Sequence, residues 1–310
     1  MEGVQVVLGA GGGAGGAVIR ALAAAGHPAR AVTRSGSELP AGVEDVRADA
    51  RDAAAVRRAC EGASVVYHCV NVPYPEWERV LPGVLEAAIA GAEAAGARLV
   101  YCDNLYMYGP VDGPLREGLP REPAGAKGRL RARLEDALMA AHGAGRVEAT
   151  IGRGSDFFGP GAANTVAGML VFPAVIAGRK AHWLGSLDQP HSLHYIDDFA
   201  RALVTLGESP RAAGEGWHIP PTGSPTGREF IGGASALAER PTRAGAYRRW
   251  MIRLLSVFDR NMRELLEVLY QFERPFIVDG SKFIAAFGAP APTPWDEAMR
   301  RSLNWHRGRA

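Results

Sequence analysis

The residues Gly9-Ala10-Gly11-Gly12-Gly13-Ala14-Gly15-Gly16 stand between an apolar run, Val4–Leu8, and an Ala-rich stretch with helical spacing, Gly15–Ala25. A strand that passes through glycines straight into a helix constrains this chain more than any other feature. The string satisfies Gly-x-x-Gly-x-x-Gly at Gly9, Gly12 and Gly15, and Gly-x-Gly-x-x-Gly at Gly11, Gly13 and Gly16, so spacing leaves both registers open. The physics is common to both. Glycine allows positive φ in the turn, lets backbone approach a pyrophosphate and lets the helix pack on the strand, and the helix N-terminus offers free N–H groups to an anion. A lone match is weak, but after the first strand of a βαβ unit it is strong. The segment is not expected to be a leader or a membrane span, because no basic region precedes it and Gln5 and Arg20 interrupt it.

The first half keeps one rhythm. Strands are predicted at Val4–Leu8, Ala29–Thr33, Val43–Arg47, Ser64–Cys69, Arg98–Cys102 and Glu148–Gly152, with helices at Gly15–Ala25, Asp52–Cys60, Trp77–Ala95 and Arg129–His142. Strands separated by helices imply right-handed crossovers, so the fold class is α/β: a doubly wound, Rossmann-type parallel sheet, with ligands beyond the carboxyl ends of the strands. After Gly159 the rhythm loosens. Val166–Ala177 reads as helical, Asp197 as the cap of a helix to Leu206, Trp217–Pro220 as a short extended piece, Tyr247–Phe272 as one or two amphipathic helices and Trp295–Arg307 as a last helix. We expect a dinucleotide-binding domain over 1–155, to which 196–210 returns, and a smaller substrate-binding lobe from 156–195 and 211–310. In that lobe Trp250, Met251, Leu254, Leu255 and Phe258 read as core.

Charge narrows the function. Thirty-five Lys and Arg against 33 Asp and Glu argue against nucleic-acid binding, despite the basic run Lys127–Arg133. Three cysteines, Cys60, Cys69 and Cys102, are too few for a disulfide framework and fit a cytoplasmic protein with reduced thiols. His191 and His194 are three apart on an extended segment and do not converge on a metal, so no metal is expected. No other run reads as a transmembrane candidate, so no membrane partner is expected. Trp183 and Trp217 either wall a substrate cleft or simply pack.

An acidic residue at the end of the second strand would bond a ribose 2′-hydroxyl. This chain has Thr33-Arg34-Ser35 there. Arg34 can pair with a 2′-phosphate, which favours NADP(H), with NAD(H) as the alternative; a solvated surface arginine is the plainer explanation.

Here the chain resembles the extended short-chain dehydrogenase/reductases of the NAD-dependent epimerase/dehydratase family. Gly9–Gly15 matches the family loop. Asp49-Ala50 looks like its adenine-contacting Asp, and Cys69-Val70-Asn71 lies where its fourth-strand loop passes the cofactor. Tyr108-Gly109-Pro110 is similar to its Tyr-Gly turn, Arg153–Gly161 to Arg-Pro-x-x-x-Tyr-Gly-Pro-Gly, and His194–Asp198 to Tyr-Val-Asp-Asp. The resemblance implies cofactor contacts from Gly9, Gly11, Gly12, Gly13, Ala14, Gly15, Arg34, Asp49, Ala50, Cys69, Val70, Asn71, Lys127, Arg131, Gly154 and Asp156. It also implies a homodimer through paired helices of the sheet domain.

The usual catalytic set is replaced. Asn104 stands where the family has Ser or Thr. With Glu135 aligned to the family's Glu, Arg131 falls at the Lys of Tyr-x-x-x-Lys and Lys127 at the Tyr; no tyrosine occurs between Tyr108 and Tyr195. Lys127, Arg131 and Glu135 recur every four residues and share one helix face. Arg131 can hold a ribose or phosphate. Lys127 is a proton donor if burial and Arg131 lower its pKa, and otherwise a solvated lysine. Tyr106 is the candidate general acid/base from the opposite wall, or an aromatic packing over the nicotinamide or substrate. Asn104 can polarise a carbonyl. Tyr106, Lys127, Asn104 and Arg131 are therefore the candidate catalytic residues. The expected activity is NADP(H)-dependent oxidation, reduction or epimerisation of a small carbonyl or hydroxyl compound, sugar-like or a secondary-metabolite intermediate. The alternatives are a non-redox isomerase, cyclase or lyase, and a catalytically silent NADP(H) sensor.

Overall fold

The computed structural model describes residues 3–36, 38–289 and 291–309. The chain runs β1 (Val4–Leu8), α1 (Gly13–Ala24), β2 (Ala29–Thr33), β3 (Glu44–Arg47), α2 (Ala53–Ala59), β4 (Ala63–His68), α3 (Trp77–Ala95), β5 (Arg98–Asp103), α4 (Ala126–Gly143) and β6 (Ala149–Arg153). It continues with β7 (Asp156–Phe158), α5 (Phe172–Ile176), β8 (Ala181–Leu184), β9 (Leu193–Tyr195), α6 (Ile196–Glu208), β10 (Gly216–His218), α7 (Gly227–Leu237) and β11 (Ala244–Tyr247). The last helices are α8 (Arg249–Leu255), α9 (Arg260–Val268), α10 (Tyr270–Glu273), α11 (Ser281–Phe287) and α12 (Trp295–Arg307).

Seven strands form the central sheet in the order β10-β6-β5-β4-β1-β2-β3, every pair parallel. Helices cover both faces, so the inner strands read as unbroken apolar runs: Val6, Val7 and Leu8 are fully buried, as are Val65, Val66 and Tyr67. The register brings Leu8 beside both Val32 and His68, and Asp103 beside Arg153. All strands therefore end at one rim. The strand order reverses between β1 and β4, which opens a crevice there.

A second layer of structure caps that rim. Two short parallel pairs, β7–β9 and β8–β11, share a core of Phe158, Phe172, Trp183, Phe230 and Phe272 with α12. Trp183 and Trp217 are both buried, so packing is their role.

Several expectations change. The extended piece at Trp217 is β10, the edge strand of the main sheet, and α11 packs Phe283 and Phe287 with Trp217. The sheet domain thus takes back residues beyond 211. Asp197 lies in the first turn of α6 rather than capping it; Tyr195 is the cap, and Asp197 bonds Arg20 of α1. Over Val166–Ala177 the backbone forms a π-turn at Ala167–Val171 before α5. Trp250, Leu254, Leu255 and Phe258 are exposed rather than core, and Met251 is half-buried. Among the described residues no helix is long and apolar enough to cross a membrane.

Candidate active site

The glycine turn resolves its own register. Gly9 sits at φ +84°, and a Cβ there would lie 2.9 Å from the Val70 backbone. A Cβ on Gly15 would lie 2.3 Å from the Gly9 carbonyl oxygen. Gly9 thus makes the turn and Gly15 lets α1 pack on it, while the backbone of Gly11 and Gly12 is exposed. Gly13 faces the loop of Gly161, whose carbonyl oxygen a Cβ would approach to 2.9 Å. No side chain caps α1, and its first turn has no acidic residue. The N–H groups of Gly13, Ala14 and Gly15 are therefore left for an anion, and the cradle fits a pyrophosphate.

Arg34 follows β2, exposed, and Asp49 follows β3. Asp49 accepts 3.0 Å bonds from Arg51. That bonding, with the charges of Arg51 and Arg34, holds its carboxyl at about 2. Ala50 is half-buried beside it. The crevice floor is the strand-end turn Cys69-Val70-Asn71. Cys69 N–H bonds Leu8 O at 3.0 Å, Val70 N–H bonds His68 Nδ1 at 3.3 Å, and Asn71 is exposed.

On the far wall β5 ends at Asp103 and the chain turns through a short 3-10 segment, Tyr106–Tyr108. Asn104 Oδ1 accepts the Tyr106 N–H at 3.0 Å, which orients its amide nitrogen. The Tyr106 and Tyr74 hydroxyls share a 2.7 Å hydrogen bond, and the Tyr106 ring stacks on Trp77. Burial pushes Tyr74 up to about 12 against the opposing bond from Tyr106; burial and Tyr74 push Tyr106 well above the phenol range. Both are protonated, neutral donors at neutral pH.

α4 starts at Ala126, earlier than its periodicity indicated, so Lys127 lies in its first turn. Lys127 is buried rather than solvated. Its Nζ pairs with Glu264 and Glu267 of α9, its N–H donates to Glu267 at 2.6 Å, and its Nζ lies 5.2 Å from the Tyr74 ring centre. Its neighbours are thus two carboxylates, where the sequence had placed Arg131. Arg131 donates to Tyr101 Oη at 2.8 Å and Asp103 Oδ1 at 3.0 Å, and stacks on Trp77 at 4.1 Å. One turn on, Glu135 pairs with Arg153 at 2.6 Å, and Arg153 donates to Tyr108 Oη at 3.1 Å. The face shared by Lys127, Arg131 and Glu135 is therefore real, but each residue is already engaged. Asp103 Oδ2 and Arg131 Nε remain buried without a partner.

Gly154 packs against Phe199 and Phe157; a Cβ would lie 2.7 Å from the Phe199 ring. Asp156 bonds His191 Nε2 at 2.8 Å, while His194 bonds Ile219 O at 2.9 Å. Among the described residues no three His, Cys, Asp or Glu side chains are grouped to hold a metal.

Sequence reasoning missed Tyr74, Trp77, Glu264 and Glu267. Tyr74 lies in a short proline-flanked turn after β4, and Trp77 is the first residue of α3. The Glu pair lies three apart on an amphipathic helix and looks like an ordinary solvated face.

Fold, glycine cradle and strand-end crevice define a nicotinamide-dinucleotide enzyme of the doubly wound class. The NAD dependent epimerase/dehydratase family model matches residues 5–219, and the chain belongs to that family. Similar solved structures include MoeE5 in complex with UDP-glucose and NAD, at 20% identity over 99% of each chain with a TM-score of 0.78. A nucleoside-diphosphate-sugar epimerase from Pseudomonas aeruginosa is 20% identical over 100% of this chain and 99% of its own, with a TM-score of 0.77. UDP-glucuronic acid 4-epimerase from Bacillus cereus, in complex with UDP-glucuronic acid and NAD, is 15% identical over 99% and 100%, with a TM-score of 0.81. At these identities the likeness is one of fold. No curated protein matches the chain in sequence.

Proposed function

We propose that this enzyme binds NADP(H) in the β1–β4 crevice and oxidises, reduces or epimerises a hydroxyl or carbonyl carbon of a sugar-like substrate, with Tyr106 as its acid/base. The hydroxyl pair of Tyr106 and Tyr74, 2.7 Å apart beside the buried Lys127, is the observation that carries this reading. The UDP-sugars held by MoeE5 and the Bacillus cereus epimerase support a nucleotide-sugar-type substrate.

When bound, the nicotinamide supplies the two-electron chemistry. Tyr106 Oη gives a proton to the substrate oxygen on reduction and takes it back on oxidation. Tyr74 Oη donates to the phenolate that this leaves, and the buried Arg131 guanidinium favours the same negative charge. The Asn104 amide, fixed through its own carbonyl, is free to polarise the reacting oxygen. Glu264 and Glu267 hold Lys127 and close α9 over the start of α4.

Tyr106→Phe is expected to keep NADPH binding and lose about 100-fold or more in turnover. Undiminished turnover would overturn the assignment of the acid. Calorimetry tests the cofactor: Arg34→Ala should weaken NADPH about tenfold and leave NADH unchanged, as expected for loss of an ion pair with the 2′-phosphate. Equal weakening of both removes the NADP(H) argument.

A further inference from the structure

The hairpin of α8 and α9 carries an apolar surface that the catalytic reading does not use. Trp250 is 66% exposed, Leu254 62%, Val257 65% and Phe258 88%. Their spacing of four, seven and eight residues from Trp250 puts them on one side of α8 and the turn that follows it. The opposite side, Ile252 and Ser256, is buried against the lobe. The apolar residues are thus presented outward at the tip of a hairpin, where a soluble monomer rarely keeps several large apolar side chains together.

Charge identifies the occupant. Residues 248–263 hold Arg248, Arg249, Arg253, Arg260 and Arg263 against Asp259, leaving four net positive charges where the whole chain has +2. Among the described residues no carboxylate pairs with Arg248, Arg253 or Arg260, all exposed. Beside the apolar stripe is a hollow of about 550 Å³ lined by Ser186, Arg248, Arg249, Trp250, Arg253 and Glu273. Arg249 is tied to Glu273 across it at 3.0 Å, which leaves Arg248 and Arg253 free for an anionic group. A second copy of the chain would bring the same positive charge against itself. A protruding apolar edge fringed by arginines, with a hollow for an anionic headgroup, fits a negatively charged lipid surface.

We propose that the α8–α9 hairpin docks this enzyme on an anionic bilayer surface, with Trp250, Leu254, Val257 and Phe258 entering the interface and Arg248, Arg253 and Arg260 meeting lipid phosphates. The attachment is peripheral, so it revises the expectation of no membrane partner without requiring a spanning helix. Glu264 and Glu267, on the side of α9 turned to Lys127, place the docked hairpin next to the candidate active site.

The test is co-sedimentation of the full chain with vesicles of phosphatidylcholine alone and with phosphatidylglycerol added. Binding to the anionic vesicles is expected to exceed that to neutral ones at least about tenfold and to fall in high salt. Phe258→Ser and the pair Arg253→Gln/Arg260→Gln should each remove most of it, with unchanged circular dichroism and unchanged turnover of soluble substrate. The emission of Trp250 should shift to the blue on anionic vesicles, and Trp250→Phe should abolish that shift. Equal binding to both vesicle types, or to neither, overturns the proposal. So does a dimer in sedimentation velocity that Phe258→Ser dissolves, which would make the face a self-interface. Salt-sensitive binding to an acidic protein without vesicle binding overturns it equally.

Discussion

Arg131→Met asks whether the cation beneath the crevice is structural or only a ligand contact. The Arg131 guanidinium makes two hydrogen bonds, at 2.8 Å to Tyr101 and 3.0 Å to Asp103, and the Asp103 side chain is wholly buried. Methionine keeps the packing on Trp77 but leaves the Asp103 carboxylate without its bonded counter-ion. Removing one partner of a buried pair costs about 3–5 kcal/mol, because the remaining charge stays desolvated. Arg153 also lowers the Asp103 pKa, so the lower end, about 3 kcal/mol, is expected. Urea denaturation at pH 7, followed by circular dichroism, reads this directly. The double variant Arg131→Met/Asp103→Asn removes the stranded charge and should recover about half the loss. pH gives an independent sign. Burial already raises the Asp103 carboxyl in the parent, despite Arg131 and Arg153. Without Arg131 it rises further, so the folded variant takes up a proton before the unfolded chain does. Its deficit is full above the raised folded value and shrinks by up to about 1.4 kcal/mol per pH unit as pH falls through it. A single variant within about 1 kcal/mol of the parent, or a double variant no better than the single, would refute the reasoning.

Gly15→Ala places a methyl 2.3 Å from the Gly9 carbonyl oxygen, so it should destabilise the chain by about 3 kcal/mol and abolish NADPH binding in calorimetry. His68, His194 and His218 are buried, and burial lowers them to about 4, 4 and 3. The folded state then binds fewer protons than the unfolded one. Stability is lost as pH falls below about 6.5, by about 2.5 kcal/mol per histidine at pH 4.5, and urea midpoints measured across that range will show it. A flat profile between pH 6.5 and 4.5 would contradict their burial as neutral rings.

The parts of this molecule visible in the sequence are those set by neighbours a few residues away. Val4–Leu8 and the glycines after it announce a strand, a turn and an uncapped helix because each needs only its own residue types. The βα alternation to Arg153 follows for the same reason. Lys127 shows where that kind of reading stops. Its partners Glu264 and Glu267 lie 137 and 140 residues further on, and only the tertiary fold brings α9 onto α4. Trp217 is legible as extended, yet nothing local says that Gly216–His218 pair with β6 to extend the main sheet. The α8–α9 region failed differently. Apolar residues spaced three and four apart mark a helix face, but the period does not say whether that face meets the core or solvent. Ile252 took the core and Trp250 did not.

The charges under the crevice support the proposed placement of the acid/base role on Tyr106, outside the helix position that the family resemblance implies. Lys127, Arg131 and Arg153 are all buried, and each is matched by carboxylates from the fold itself: Glu264 and Glu267, Asp103, and Glu135. A cation clamped in this way shapes the local field but has little freedom to deliver a proton. The groups left with hydrogen-bonding capacity toward a reacting oxygen there are neutral: the Tyr74–Tyr106 hydroxyls and the Asn104 amide nitrogen. Neutral donors stabilise an oxygen that gains negative charge only during reaction, and they do so without attracting an anion into the same space beforehand. On the proposed mechanism, the reacting end of the substrate is an uncharged carbonyl or hydroxyl, and any phosphate it carries belongs further out, away from Glu264, Glu267 and Asp156.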